Sequence, residues 1–281
     1  MTTGIAAILG GLDRGSDGIY SAAHPVATDQ VDEVRLRESV AERVPVDMLA
    51  EVGRHHSIPV MDRELRLFLD IVPRDGVVVD VGGGWGWHWR AQPDGRTDFC
   101  VIMVDFVRAN LRIAARLLGQ LVNRQVFLVH GDATCLPFPA DVFDGYWSVQ
   151  ALQHVPRFDV AVTEAHRVLR RGAAFASYSL NRARLIEAVY RIAGKTYHIE
   201  GSRPGSFYLA RGSAEQAAVV GRIFGEPVTS RYTEVLFHPD LGMSTGAAPS
   251  VMGRLDARLS SRLPLLAPVA RQRSYHTRKA S

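Results

Sequence analysis

Val77-Val78-Val79-Asp80-Val81-Gly82-Gly83-Gly84-Trp85-Gly86 is the stretch on which the reading of this chain turns. Three β-branched residues in a row predict a strand buried on both faces. An acid and a glycine cluster follow. Glycine reaches backbone conformations that strain other residues, and it lets a ligand come close to the main chain. An open α/β sheet takes a nucleotide-like ligand at such a place, beyond the carboxyl end of a buried strand.

Working outward, strands and helices alternate. Met61 to Val72 carries an apolar side and stops at Pro73, as a helix does. Val77 to Val81 is the first strand, and Trp85 to Ala91 begins a helix. Phe99 to Asp105 is the second strand, and Phe106 to Leu121 is an amphipathic helix with Arg108, Arg112 and Arg116 on its solvent side. Gln125 to His130 and Gly145 to Val149 are strands three and four. Phe158 to Arg171 is a helix closed by Gly172, and Ala173 to Leu180 is strand five. This alternation predicts a mainly parallel sheet with helices on both faces. Beyond Asn181 the pattern loosens. Arg182 to Ala193 and Ser213 to Phe224 read as helices, Gly194 to Arg211 as a loop, and Val228 to Phe237 and Arg271 to Thr277 as strands. Before residue 50 the chain is mixed, with a loop around Gly10 to Gly18 and a helix within Asp29 to Leu49.

Composition bounds the rest. The chain has 281 residues, 47% hydrophobic and 22% charged, enough for one large α/β domain with appendages. No apolar run approaches the roughly 20 residues that span a bilayer. The start lacks the basic region of a secretory signal, and two cysteines, Cys100 and Cys135, make no disulfide framework, so a cytoplasmic setting is expected. The net charge of +4 is uneven: Val251 to Ser281 holds seven bases against one acid, Asp256, which leaves the remainder near −2. Such a tail suits a solvated end, with weak contact to an anionic membrane or to nucleic acid as the sharper option. His55-His56 has no matched second pair at metal spacing, so no metal site is expected. There is no phosphate P-loop and no nucleophile elbow.

The glycine spacing separates the possible ligands. A dinucleotide fingerprint, G-x-G-x-x-G from Gly82, needs glycine at position 87, which is Trp87. Instead Asp80 is followed by Gly82, Gly84 and Gly86. Asp105 ends strand two, 25 residues after Asp80, where a carboxylate can accept from a ribose diol. After strand three comes Gly131-Asp132-Ala133-Thr134-Cys135-Leu136-Pro137-Phe138. Phe143-Asp144 to Ser148, then Leu152, His154 and Val155, follow on strand four, and Glu164, Arg167, Val168, Leu169 and Gly172 close the next helix. These five segments, over roughly residues 75 to 180, resemble the ordered motifs of the class I S-adenosylmethionine-dependent methyltransferases, nearest to the ubiquinone/menaquinone-biosynthesis and small-molecule group.

The resemblance implies a three-layer, Rossmann-like, seven-stranded and mostly parallel α/β sheet whose last strand is antiparallel. Residues 1–73 would be an N-terminal helical and loop extension capping the site. Residues 74–281 would be the cofactor domain, with a substrate-side insertion at about 181–227. The implied cofactor is S-adenosylmethionine (product S-adenosylhomocysteine), held by Asp80, Gly82, Gly83, Gly84, Trp87, Asp105, Phe106, Asp132, Ala133 and Gln150, with Asp132 on the adenine. His154, beyond strand four, is the candidate general base, since imidazole titrates near neutrality. His55, His56, Tyr178, Tyr197 and Tyr208 are candidates for the acceptor. The run Trp85-Gly86-Trp87-His88-Trp89 is bulkier than the family pattern; it either packs in the core or narrows the methionine pocket, where an indole can face a sulfonium. The expected activity is methyl transfer to a small molecule, preferably to oxygen. A non-catalytic cofactor-binding protein and an RNA methyltransferase are the alternatives. Oligomeric state is left open.

Overall fold

A computed structural model describes residues 2–21, 31–42, 57–90, 96–181, 184–195, 213–236, 251–260, 265 and 267–281. Nine strands form one sheet: β1 (Asp13–Arg14), β2 (Tyr20–Ser21), β3 (Gly76–Val81), β4 (Phe99–Asp105), β5 (Val126–His130), β6 (Phe143–Val149), β7 (Leu169–Leu180), β8 (Thr229–Thr233) and β9 (Gln272–Arg278). Their spatial order is β1-β2-β5-β4-β3-β6-β7-β9-β8. The sheet therefore has nine strands where seven were expected. The extra two belong to a hairpin near residues 13–21, whose two-residue strands are too short to leave any alternation in the sequence. β2 runs parallel to β5, and β9 runs antiparallel to both β7 and β8, as the implied topology requires of a last strand.

The helices are α1 (Thr2–Leu9), α2 (Val31–Glu42), α3 (Ser57–Leu69), α4 (Arg108–Leu118), α5 (Phe158–Val168), α6 (Arg184–Ile192), α7 (Ser213–Phe224) and α8 (Val251–Ser260). Side chains alternate across β3 with a period of two. Val77, Val79 and Val81 join one core with Ile5 and Ile8 of α1, Phe158 and Val162 of α5 and Val220 of α7. Val78 joins the other with Leu65 and Phe68 of α3, Leu111 of α4 and Trp147 of β6. Each such fully buried side chain contributes about 1.5–3 kcal/mol over an exposed one, and both faces of the sheet are covered.

Two helices differ from expectation. The helix expected to reach Arg171 ends at Val168, and β7 begins at once. Gly172 is then not a helix cap but a left-handed residue (φ 75°) whose N–H donates to the Lys279 carbonyl. The helix expected from Trp85 is a single 3₁₀ turn, Trp87–Trp89. The bases of the C-terminal stretch are largely tied down: Arg271 pairs with Glu234 at 2.7 Å, Lys279 with Asp141 at 2.8 Å, and Arg273 donates to Ser230. No helix among the described residues is long and apolar enough to cross a membrane.

Candidate functional site

Strands β3, β4 and β5 end level, with Val81 beside Val104 and Asp105 beside His130. A cleft of about 780 Å³, its open mouth included, lies beyond these ends. Its walls come from each motif segment up to the end of β6: Gly82 and Gly84, then Asp105 and Phe106, then Gly131 and Ala133, then Gln150 and His154.

The glycine turn is required by space. At Gly82 (φ 74°) a Cβ would lie 2.1 Å from the Ala151 Cβ, and at Gly83 one would lie 2.3 Å from the Met103 Cγ. The chain can pass between β4 and the β6 loop only without side chains there. The Gly84 N–H points back at Asp105 and donates to its Oδ2 at 2.8 Å. The Val107 N–H donates to Oδ1, also at 2.8 Å, and the Asn110 side-chain amide adds a longer contact at 3.4 Å. Asp105 is thus locked in place at the cleft wall with acceptor capacity left over. Burial pushes its carboxyl above the usual range.

Asp80 lies just behind the turn, fully buried. Its Oδ2 accepts from the Trp89 indole N–H at 2.7 Å. Burial raises its pKa to about 7, the indole hydrogen bond opposes that rise, and the Asp105 charge adds to it. No cation among the described residues pairs with it. The aromatic run is explained by these contacts. Trp89 packs against Phe99 in the core and holds Asp80. Trp85 donates to the Asn110 Oδ1 at 3.1 Å. Trp87 lies under the Arg90 guanidinium, 4.6 Å from its ring centre, and Arg90 in turn grips Asp62 of α3 through two hydrogen bonds. The three indoles brace the turn from behind, and none lines the cleft.

The later motifs fix the other wall. Asp132, the expected adenine contact, accepts at its Oδ1 from the Thr134 N–H (2.7 Å) and hydroxyl (2.8 Å), shaping the turn that brings its neighbours Gly131 and Ala133 to the cleft. Glu164 and Arg167 of α5 clamp the following loop. Glu164 accepts from the Leu136 N–H, and Arg167 donates to the Leu136 and Phe138 carbonyls while pairing with Glu164. That explains the spacing of three between acid and arginine: both reach one loop from one helix face. Gln150 sits in the left-handed region (φ 51°), a strained conformation for a residue with a side chain, held by its N–H donating to the Tyr178 carbonyl at 2.7 Å.

His154 lines the cleft at the end of a 3₁₀ turn, with its Nε2 3.2 Å from the Gln153 side-chain nitrogen. Burial, then the Arg37 charge, lower its pKa to about 3, so the imidazole is neutral at any ordinary pH. Arg37 itself, from α2, also lines the cleft.

Of the expected cofactor residues, Gly82, Gly84, Asp105, Phe106, Ala133 and Gln150 line the cleft. Asp80, Gly83, Trp87 and Asp132 are not among the residues that line it. Of the expected acceptor residues, Tyr178 is buried in the core and donates its hydroxyl to Glu64 at 3.0 Å, away from the cleft. Taken with the acceptor candidates, it lies instead within β7 and is covered by α3. His55, His56, Tyr197 and Tyr208 lie outside the described residues. Arg37 and Asn110 are cleft residues that no motif marks; the only hint for Asn110 is its place one turn beyond Asp105.

The cleft fits S-adenosylmethionine in two respects: a turn kept free of side chains at Gly82, Gly83 and Gly84, and two buried carboxylates, one without a cation among the described residues, that suit a ligand bearing positive charge. Comparison with known proteins agrees. A family model described as a methyltransferase domain matches residues 79–177. The chain is similar to the ubiquinone/menaquinone biosynthesis C-methyltransferase UbiE of Rhodopseudomonas palustris, strain HaA2, at 33% identity over 121 residues, 39% of this chain and 48% of that one. The UbiE of Allorhizobium ampelinum is 50% identical over 97 residues, 34% of this chain and 38% of its own. The matched part thus spans about half the length of these relatives or less. Among solved structures, the methyltransferase seen in complex with the Trm112 activator of Haloferax volcanii superposes with a TM-score of 0.57 at 16% identity, covering 87% of this chain and 98% of that one, which shows a shared fold. Motifs, fold and matches converge: residues 79–177 match a methyltransferase domain, part of the chain is similar to UbiE C-methyltransferases, and the fold is shared with a methyltransferase of known structure.

Proposed function

We propose that the protein is an S-adenosylmethionine-dependent methyltransferase acting on a small hydroxylated aromatic or enolisable acceptor. One observation carries the reading: residues from four separate motif segments line a single cleft beyond the strand ends. The cofactor supplies an activated methyl group on sulfur, and the protein's part is alignment and proton handling. Asp105, fixed by two backbone amides, would hold the ribose hydroxyls. Asp80, about half ionised near pH 7 and without a cation partner among the described residues, would be drawn to its charged form by the positive ligand and so favour that ligand electrostatically. His154 and Arg37 share the acceptor side. Burial and the Arg37 charge disfavour a protonated His154, so its imidazole would accept a hydrogen bond from the acceptor hydroxyl and orient it, while the Arg37 guanidinium would stabilise the oxyanion formed as the proton leaves to solvent.

Both transfer to carbon and transfer to oxygen begin with that deprotonation. The similarity to quinone C-methyltransferases supports carbon, next to the ionised oxygen. Transfer to oxygen is the second reading, supported by the imidazole in the cleft. A folded protein that fails to bind S-adenosylhomocysteine in calorimetry would defeat the proposal. Labelled cofactor with a panel of phenols and hydroquinones, read by mass spectrometry, would show turnover and where the methyl sits. Binding without turnover on any acceptor would leave a cofactor-binding protein instead.

A further inference from the structure

Most of the exposed large apolar side chains among the described residues lie on two helices. Among the described residues, Leu185, Val189, Ile192, Val251, Leu255 and Leu265 are large, apolar and exposed, and Ile71 is the one other. Leu185, Val189 and Ile192 are spaced by four and three along α6 and share one face, while Ile186 and Tyr190 are buried on the adjoining face. Val251 and Leu255, four apart on α8, repeat the pattern. Ile192 is 88% exposed and Val251 71%.

Both helices leave the sheet at one end. Leu180, Gln272 and Thr233 stand in one register row across β7, β9 and β8. α6 begins four residues after Leu180, and α8 belongs to the connection from β8 to β9, so both emanate from the carboxyl end of the parallel strands, the end that carries the cleft. α8 is anchored there on α3, with the Arg63 guanidinium donating to the Ala257 carbonyl at 2.8 Å.

Among the described residues of these two helices, the exposed charge has one sign. Arg191 and Lys195 are exposed beside the α6 stripe, and Arg254 and Arg258 are exposed on α8. Of the acids on the two helices, Glu187 is half-buried and Asp256 is fully buried, accepting from the Val235 N–H. Apolar stripes edged by bases suit an interface where acyl chains meet anionic headgroups. A second copy would bring like-charged faces together, which opposes association.

We propose that the exposed faces of α6 and α8 dock this protein on an anionic lipid bilayer, with the cleft end of the sheet turned toward the membrane. Each stripe alone is short, so two patches acting together are what gives useful affinity. The docking rests on the surface itself and not on the methyl-transfer reading. Joined to that reading, it lets an amphiphilic acceptor reach the cleft from the bilayer.

The test is sedimentation of the full chain with phosphatidylcholine vesicles, with and without about one-third phosphatidylglycerol. No cofactor or acceptor is present, so the result does not depend on the reaction. Binding to the anionic vesicles, weaker on the neutral ones and reduced by salt, is expected. Ile192→Ser/Val251→Ser should weaken it by at least about tenfold, with affinity for S-adenosylhomocysteine unchanged as the control for folding. Arg191→Gln/Lys195→Gln/Arg258→Gln, which disturbs no core residue, should cost a similar factor on anionic vesicles only. No binding to anionic vesicles overturns the proposal, as does equal binding by both variants. Self-association of the wild type that the apolar variant abolishes, without vesicle binding, overturns it too and assigns the face to a second copy.

Discussion

Two buried carboxylates of this molecule are treated in opposite ways. Glu64 of α3, 1% exposed, receives the Tyr178 hydroxyl at 3.0 Å and the Arg231 guanidinium at 3.3 Å. Asp80 of β3, equally buried, receives a single indole N–H and no cation from the described residues. Burial drives both acids upward, but only Glu64 has an arginine that answers it. A buried charge normally comes with its partner. Glu64 is therefore complete without a ligand and is structural. Asp80 is left with a charge deficit at the one place where a positively charged cofactor belongs.

The largest effect should come from the carboxylate that faces the cleft. Asp105→Ala removes an acceptor locked by Gly84 and Val107 and should weaken S-adenosylmethionine binding by about a hundredfold, read by calorimetry. An unchanged affinity would break the contrast at its root. Next, Asp80→Asn should weaken S-adenosylmethionine by about tenfold and S-adenosylhomocysteine less, since the product lacks the positive sulfur. The same substitution should raise the melting temperature of the free protein. The folded Asp80 holds its proton up to about pH 7, against about 4 when unfolded, so the wild type loses stability from this group as pH rises through that window. The gain from Asn should be absent near pH 4 and complete above about pH 7. Equal loss of both ligands would make Asp80 a structural acid like Glu64.

Tyr178→Phe should do the reverse: cost about 1 kcal/mol of stability in denaturant unfolding and leave cofactor affinity alone. The smallest effect concerns His154 and His276, both pushed by burial to about 3, and His88, pushed to about 4. Their folded values are depressed, so the stability they contribute is present in full above about 6.5 and is lost as pH falls toward 3. Thermal melts should therefore show a decline below pH 6.5 that shallows in His276→Gln. A decline steepening above pH 7 instead would contradict that sign.

The sheet from β3 to β7 was readable because its strands are buried on both faces and separated by amphipathic helices, which leaves continuous Val, Ile and Phe runs between periodic segments. The cleft was readable where backbone space dictates residue type, as at Gly82, and where an acid must end a strand, as at Asp105. What escaped has a common cause. Arg37 and Tyr178 owe their positions to tertiary packing, Arg37 brought in by a helix from outside the motif core and Tyr178 covered by α3. The role of Asp132 in its own turn and the bracing role of Trp85, Trp87 and Trp89 depend on hydrogen bonds to particular neighbours. Single-chain periodicity carries no trace of those partners. The β1–β2 hairpin has too few residues to register as strands at all.

That hairpin has a consequence for handling the protein. By pairing Tyr20 with Val129 and Ser21 with His130, it covers part of the outer edge of β5, whose sequence is Val126-Phe127-Leu128-Val129-His130. A bare edge of that composition is a template for strand addition between molecules. Trimming the first twenty-one residues as a dispensable leader would strip this guard, and the shortened protein should precipitate on concentration while the full chain stays dispersed.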